Sequence, residues 1–210
     1  MRPERKKWIE IIAVAITGLL KFVLMDWLQM RAFFICGACL FWFVYVLIAY
    51  NSDHAILKYW GFKKENFRKS LLILLPFTLV SIIAIIFYAA FSEIFMLNWH
   101  IIPVFFLYPL WGLAQQFMTA GLIAGNLASL KNSQLKPFQV IFITSLIFCL
   151  VHSPRPSLMA FTFVMQLVFT MVYLRWRNLW ALGLAHGWIA TFLLFYALKR
   201  DLWIELFAWF

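Results

Sequence analysis

The sequence predicts an all-α protein, a polytopic membrane helix bundle of about seven transmembrane helices. Two observations predict it. Hydrophobic residues fill 65% of the 210 positions and charged residues only 12%, where soluble domains carry roughly 45–50% and about 25%. Mean hydropathy is +0.89. The apolar residues also fall into seven runs close to the ~20 residues that a spanning helix needs. They lie at roughly 8–29, 32–50, 70–91, 101–124, 138–152, 157–174 and 179–198. These runs leave no room for a second, soluble module, so residues 1–210 are read as a single membrane domain.

The first run follows a basic tail containing Arg2, Arg5, Lys6 and Lys7 and is interrupted by Lys21 and Asp26. A basic start before an apolar stretch resembles a signal peptide. The run is too long for one and has no small-residue cleavage site, so an uncleaved anchor is expected. The second run contains Cys36 and Cys39 with Gly37 and Ala38 among aromatic and aliphatic neighbours. This C-x-x-C is read as a patch of small residues where helices approach, because thiol chemistry needs an accessible, electropositive setting. Three cysteines in apolar runs make no disulfide framework.

The fourth run carries the adjacent pair Gln115 and Gln116, with Thr119 four residues beyond Gln115 on the same helical face. Gly121 and Gly125 form a G-x-x-x-G, which favours close packing against a neighbour. The fifth run is short and ends at Ser153-Pro154-Arg155-Pro156, where prolines must break the helix. His152 lies at its end, four residues after Phe148. The seventh run places His186 between Gly183 and Gly187, which leaves room for a neighbouring helix or a small cavity.

A formal net charge of +10 raises the question of nucleic acid. The basic residues, however, cluster between apolar segments and are not interleaved with exposed aromatics, so no nucleic-acid partner is expected. With the N-terminus in the cytoplasm, thirteen Lys and Arg fall inside and four outside (Arg31, Arg155, Lys199 and Arg200). That bias predicts a cytoplasmic N-terminus and an external C-terminus. The last ten residues are too short to span, and their aromatics suit the interface.

Polar groups inside a membrane are costly and mark packing contacts or function. Gln115, Gln116, His152 and His186 are therefore the candidate site. The chemistry such a set supports is water activation, with a histidine as base and neutral donors at the developing oxyanion. Two histidines are too few for a catalytic zinc, there is no H-E-x-x-H, and no cofactor is predicted. A serine triad has no support, because Ser145 and Ser153 lack a G-x-S-x-G setting. Of the acids, Asp26 is the one expected within reach. A small transporter subunit is disfavoured by the lack of paired Gly/Pro breaks.

The ordered set resembles the CAAX protease and bacteriocin-processing (CPBP, or Abi) family of intramembrane endopeptidases. That family's pattern is Glu-Glu-x-x-x-Arg, then Phe-x-x-x-His, then His-x-x-x-Asn. Gln115 and Gln116 stand at the paired glutamates, Phe148 and His152 match the second motif, and His186 begins the third. The stretch Tyr59-Trp60-Gly61-Phe62-Lys63-Lys64 and the lead-in from Tyr173 to Asn178-Leu179-Trp180 also resemble family members, over about residues 55–195.

The resemblance implies an intramembrane endopeptidase fold in the bacterial inner (plasma) membrane. It also implies membrane-embedded or prenylated peptides and membrane lipids as partners. Three departures stand against full activity: Gln115 has no titratable group, Ala120 replaces the arginine and Ala190 the asparagine. The expectation is a CPBP-type peptidase with reduced or lost activity. The alternative is a non-catalytic protein that binds a membrane peptide, a lipid or a partner membrane protein.

Overall fold

Each apolar run is helical in the computed structural model, which describes residues 2–92, 98–131 and 134–207. The helices are α1 (Glu4–Leu20), α2 (Arg31–Ser52), α3 (Ile56–Trp60), α4 (Phe67–Phe91), α5 (Ile101–Gln116), α6 (Gly125–Leu127), α7 (Pro137–Leu150), α8 (Pro156–Trp176), α9 (Leu179–Phe192) and α10 (Leu202–Phe207). Three π-helical stretches, Lys21–Trp27, Phe117–Ala124 and Leu193–Ala197, extend α1, α5 and α9. No strand occurs among the described residues. Six of the helical runs are long and apolar enough to cross a membrane. The exception is α7, whose 14 residues reach only about 21 Å at 1.5 Å per residue.

Local chemistry sets the helix ends. Pro137 and Pro156 open α7 and α8 at the first helical position, where a missing N–H costs nothing. The Gln139 side chain accepts from the Lys136 backbone N–H at 2.8 Å and closes the first turn of α7. Asn178 caps α9 by accepting from the Ala181 N–H at 3.0 Å. At the end of α8, Arg177 takes a left-handed backbone, φ 45°. The prolines after Ser153 do end a helix, as expected: α7 stops at Leu150 and α8 starts at Pro156.

The chain forms two compact units. The first comprises residues up to Lys63 and from Phe117 to Arg177. In it α7 and α8 form an antiparallel hairpin, while α1 lies along the 117–127 stretch. Its core is aromatic. The ring of Phe117 meets Trp42, Trp60 and Phe62 at centroid distances of 6.2, 5.0 and 5.5 Å, and Trp60 is completely buried. Gly125 belongs to this packing, since a Cβ there would stand 3.1 Å from the Tyr173 hydroxyl. The second glycine of the G-x-x-x-G thus gives the close approach that the motif promises.

The second unit runs from Lys64 to Gln116 and from Asn178 to Phe210. Within it α9 packs against both α4 and α5. Along α4 the buried residues Ser70, Leu74, Thr78, Ser81, Ile85 and Ala89 recur every three or four positions. Small and hydroxyl side chains dominate this stripe, as expected where helices pack closely in lipid.

The C-x-x-C patch behaves otherwise than expected. Cys36 and Cys39 are both exposed, and nothing stands within 4 Å of the place a Cβ would take on Gly37. Among the described residues no helix uses this small face, because α2 buries its opposite side through Phe34 and Trp42. Of the final ten residues, 202–207 are helical, and Trp209 and Phe210 lie outside the described residues.

Candidate active site

Glycine brings the polar residues of the second unit together. A Cβ on Gly112 would stand 2.7 Å from the Gly183 carbonyl oxygen, 2.9 Å from the Gly187 nitrogen and 3.2 Å from the His186 Cβ. One on Gly183 would meet the Leu113 Cα at 2.9 Å, and one on Gly187 would collide with the backbone of Pro109. Helices α5 and α9 therefore touch backbone to backbone, a distance open only to residues without a side chain. Of the two possibilities the glycines left open beside His186, a neighbouring helix is the one realised.

Gln116 follows Gly112 by one helical turn, so it faces His186 across this contact. Its Nε2 lies 3.1 Å from His186 Nδ1, and both residues are buried. An amide nitrogen only donates. Nδ1 of His186 is therefore the acceptor, and the neutral ring carries its proton on Nε2. Gln115, next along the chain, is half-buried in the same unit. After Gln116 the helix changes to the wider π-helical register, which no spacing in the sequence announces. Ala120, at the position of the family's arginine, is fully buried, whereas Ala190 is half-buried.

His152 belongs to the first unit and sits just past the end of α7, half-buried. Its Nδ1 lies 2.7 Å from the Phe148 carbonyl oxygen, and its ring is tilted against that of Phe148 at 4.7 Å. A carbonyl only accepts, so here the proton is on Nδ1 and the lone pair on Nε2. The four-residue spacing of Phe148 and His152 thus has a local meaning. The phenylalanine supplies both the ring face and the carbonyl that fix the imidazole. The two histidines are held in opposite neutral tautomers, one presenting a donor and the other an acceptor.

Asp26 is exposed and paired with Lys21 at 2.6 Å. Among the described residues the buried carboxylate is Glu10. Arg2 donates to it through both terminal nitrogens at 2.9 and 2.5 Å, Asn126 donates at 2.6 Å, and the Tyr45 hydroxyl donates as well. Burial works against the Arg2 charge, but the bonds from Glu10 and its charge prevail, and the guanidinium holds its proton above the usual range.

Lys7, one turn before Glu10, is also buried and donates to the Ser129 carbonyl at 2.5 Å and to Glu4 at 3.1 Å. Spacing could have revealed this cluster: Lys7, Glu10 and Val14 recur at three and four residues on one face of α1. Glu10 is not beside His152. The part of α1 near that histidine is Gly18, where a Cβ would meet Val151 at 3.2 Å. Eight residues of helix from Glu10 to Gly18 amount to about 12 Å.

The two stretches that flank the histidine motifs in sequence meet within the first unit. Tyr173 donates to the Trp60 carbonyl at 2.8 Å. Gly61 adopts φ 105°, and a Cβ there would stand 2.9 Å from the Arg177 carbonyl oxygen. Among the described residues, no three His, Cys, Asp or Glu side chains gather closely enough to hold a metal ion.

A family model described as "Type II CAAX prenyl endopeptidase Rce1-like" matches residues 2–192 of the chain. No curated protein and no solved structure matches it.

Proposed function

Since the chain belongs to the Rce1-like family of type II CAAX prenyl endopeptidases, we propose that it engages membrane-embedded or prenylated peptides but hydrolyses them slowly or not at all. The Gln116–His186 hydrogen bond carries this reading. Where the family pattern has paired carboxylates, this chain has Gln115 and Gln116, and the buried pair they begin is neutral throughout. Neutral amide and imidazole N–H groups suit the recognition of a peptide carbonyl or the stabilisation of an oxyanion. They do not deprotonate water.

Gln115, Gln116, His152 and His186 are the residues on which peptide engagement depends. Gln115 and Gln116 act as backbone or oxyanion donors, and the Nε2–H of His186 adds another. The thirteen-to-four distribution of Lys and Arg supports a cytoplasmic N-terminus in a bacterial inner membrane.

A second reading, slow hydrolysis with a histidine as base, is favoured by His152. The Phe148 carbonyl holds its proton on Nδ1 and leaves the Nε2 lone pair to accept one from water. Purified protein offered a farnesylated peptide, with binding and cleavage both measured, separates the two readings. Binding without cleavage, with cleavage gained in Gln115→Glu, supports the non-hydrolysing reading. Cleavage by the wild type that His152→Ala abolishes supports the second. Neither binding nor cleavage by folded protein would sink both.

A further inference from the structure

The end of the first unit that holds the N-terminus of α1 carries more positive than negative charge. It gathers the start of α1, the turn after α6, helix α3, the start of α7 and the end of α8. Lys7 reaches Ser129, the Tyr59 hydroxyl lies 3.1 Å from the Ser129 hydroxyl, and Arg177 reaches Gly125. Arg5, Lys6, Lys131, Lys136 and Arg175 are exposed there. Among the described residues none of these five has an ion pair, although Glu4 accepts from the Lys131 backbone N–H at 3.3 Å and feels its charge.

The most telling cation is Arg177. It is partly buried, and its left-handed backbone turns it back toward α3. One guanidinium nitrogen donates to the Gly125 carbonyl at 3.2 Å, and the group lies 5.1 Å from the centre of the Tyr59 ring. Arg2 lies 5.3 Å from the same ring, so Tyr59 contacts two guanidinium groups. Glu10 neutralises Arg2. Among the described residues no carboxylate pairs with Arg177. A partly buried charge is unfavourable without a counter-ion, and among the described residues one bond to the Gly125 carbonyl leaves the other guanidinium donors of Arg177 without a protein acceptor.

We propose that Arg177, with Arg175, Lys131 and Lys136 at the same end of the unit, binds the phosphate of an anionic phospholipid in the adjoining leaflet. Planar guanidinium donors match phosphate oxygens in pairs. Arg175 and Arg177 close α8, a helix long and apolar enough to span a bilayer, and the exposed Trp8 and Phe138 and the Trp176 ring beneath Arg175, at 5.1 Å, suit the headgroup layer. The occupant is thus a lipid headgroup of that layer. The proposal does not depend on whether the protein cleaves peptides.

Native mass spectrometry of the full chain, released from micelles with equal phosphatidylglycerol and phosphatidylcholine, tests it. The wild type should retain phosphatidylglycerol preferentially. Each charge removed should lower that retention about fivefold, in Arg177→Gln and in the double variant Lys136→Gln/Arg175→Gln. The double variant alters only exposed side chains and decides the matter if Arg177→Gln does not fold. Arg31→Gln/Arg155→Gln, at the opposite end of the same unit, should change nothing. Equal retention of the two lipids, an equal loss in the opposite-end variant, or displacement of the lipid by millimolar inorganic phosphate would each overturn the proposal, the last pointing to a soluble anion.

Discussion

Gln116 donates a hydrogen bond from its side-chain amide to Nδ1 of His186 at 3.1 Å, inside a helix contact that three glycines make possible. The pairing decides which imidazole nitrogen carries the proton. Gln116→Leu removes the donor and leaves a buried ring nitrogen without one. A loss of about 1–3 kcal/mol in stability is expected, read as a lower unfolding temperature in detergent. Gln116→Glu should do something different. A carboxylate only accepts, so the proton moves to Nδ1, and the nitrogen-15 shifts of His186 should exchange their pattern. Unchanged shifts in that variant would contradict the tautomer assignment.

The glycine contact gives a paired prediction. Gly112→Ala places a methyl group within 3 Å of α9 backbone, and forcing α5 and α9 apart should cost about 1–3 kcal/mol. Gly37→Ala meets nothing and should be neutral or stabilising by up to about 1 kcal/mol through helix propensity. Thermal unfolding of both variants in the same detergent checks the contrast.

The charge cluster on α1 should be expensive to break from one side. Glu10→Leu leaves Arg2 without its carboxylate and Asn126 with only the Lys7 carbonyl at 3.4 Å, and removing one member of a buried pair typically costs about 3–5 kcal/mol. Faster proteolysis within the first twenty residues is the expected reading. Tyr45→Phe, which removes only one donor to the same carboxylate, should cost about 1 kcal/mol.

Cys36 and Cys39 should both be accessible to an apolar maleimide in micelles, since both are exposed. Replacing both by Ala should move stability by no more than about 0.5 kcal/mol. Protection of either thiol in the folded protein would show that a partner covers this face of α2.

Much of the fold was legible because lipid imposes a simple constraint. Every backbone group in a membrane must bond within its own segment, so an apolar run of sufficient length has few alternatives to a helix. The expected runs and the observed helices accordingly coincide within a few residues, and the break at Pro154 and Pro156 falls where proline chemistry demands. Spacing also brought His152 under Phe148, because one helical turn is a local relation.

Composition and spacing by themselves determined the all-helical membrane fold and the four polar residues that stand out against an apolar background; the family entered through the resemblance of those residues to its motifs. Only the tertiary structure decided that Gln116 sets the His186 tautomer, that Glu10 is a buried acid, and that among the described residues the small face of α2 packs against nothing. The physical reason is range. Hydrophobicity and helical periodicity act over one or two turns and are written locally, whereas Gln116 and His186 lie 70 residues apart. Which faces of two helices meet at such separations follows from where glycines let backbones touch, and that is settled only when the helices are packed.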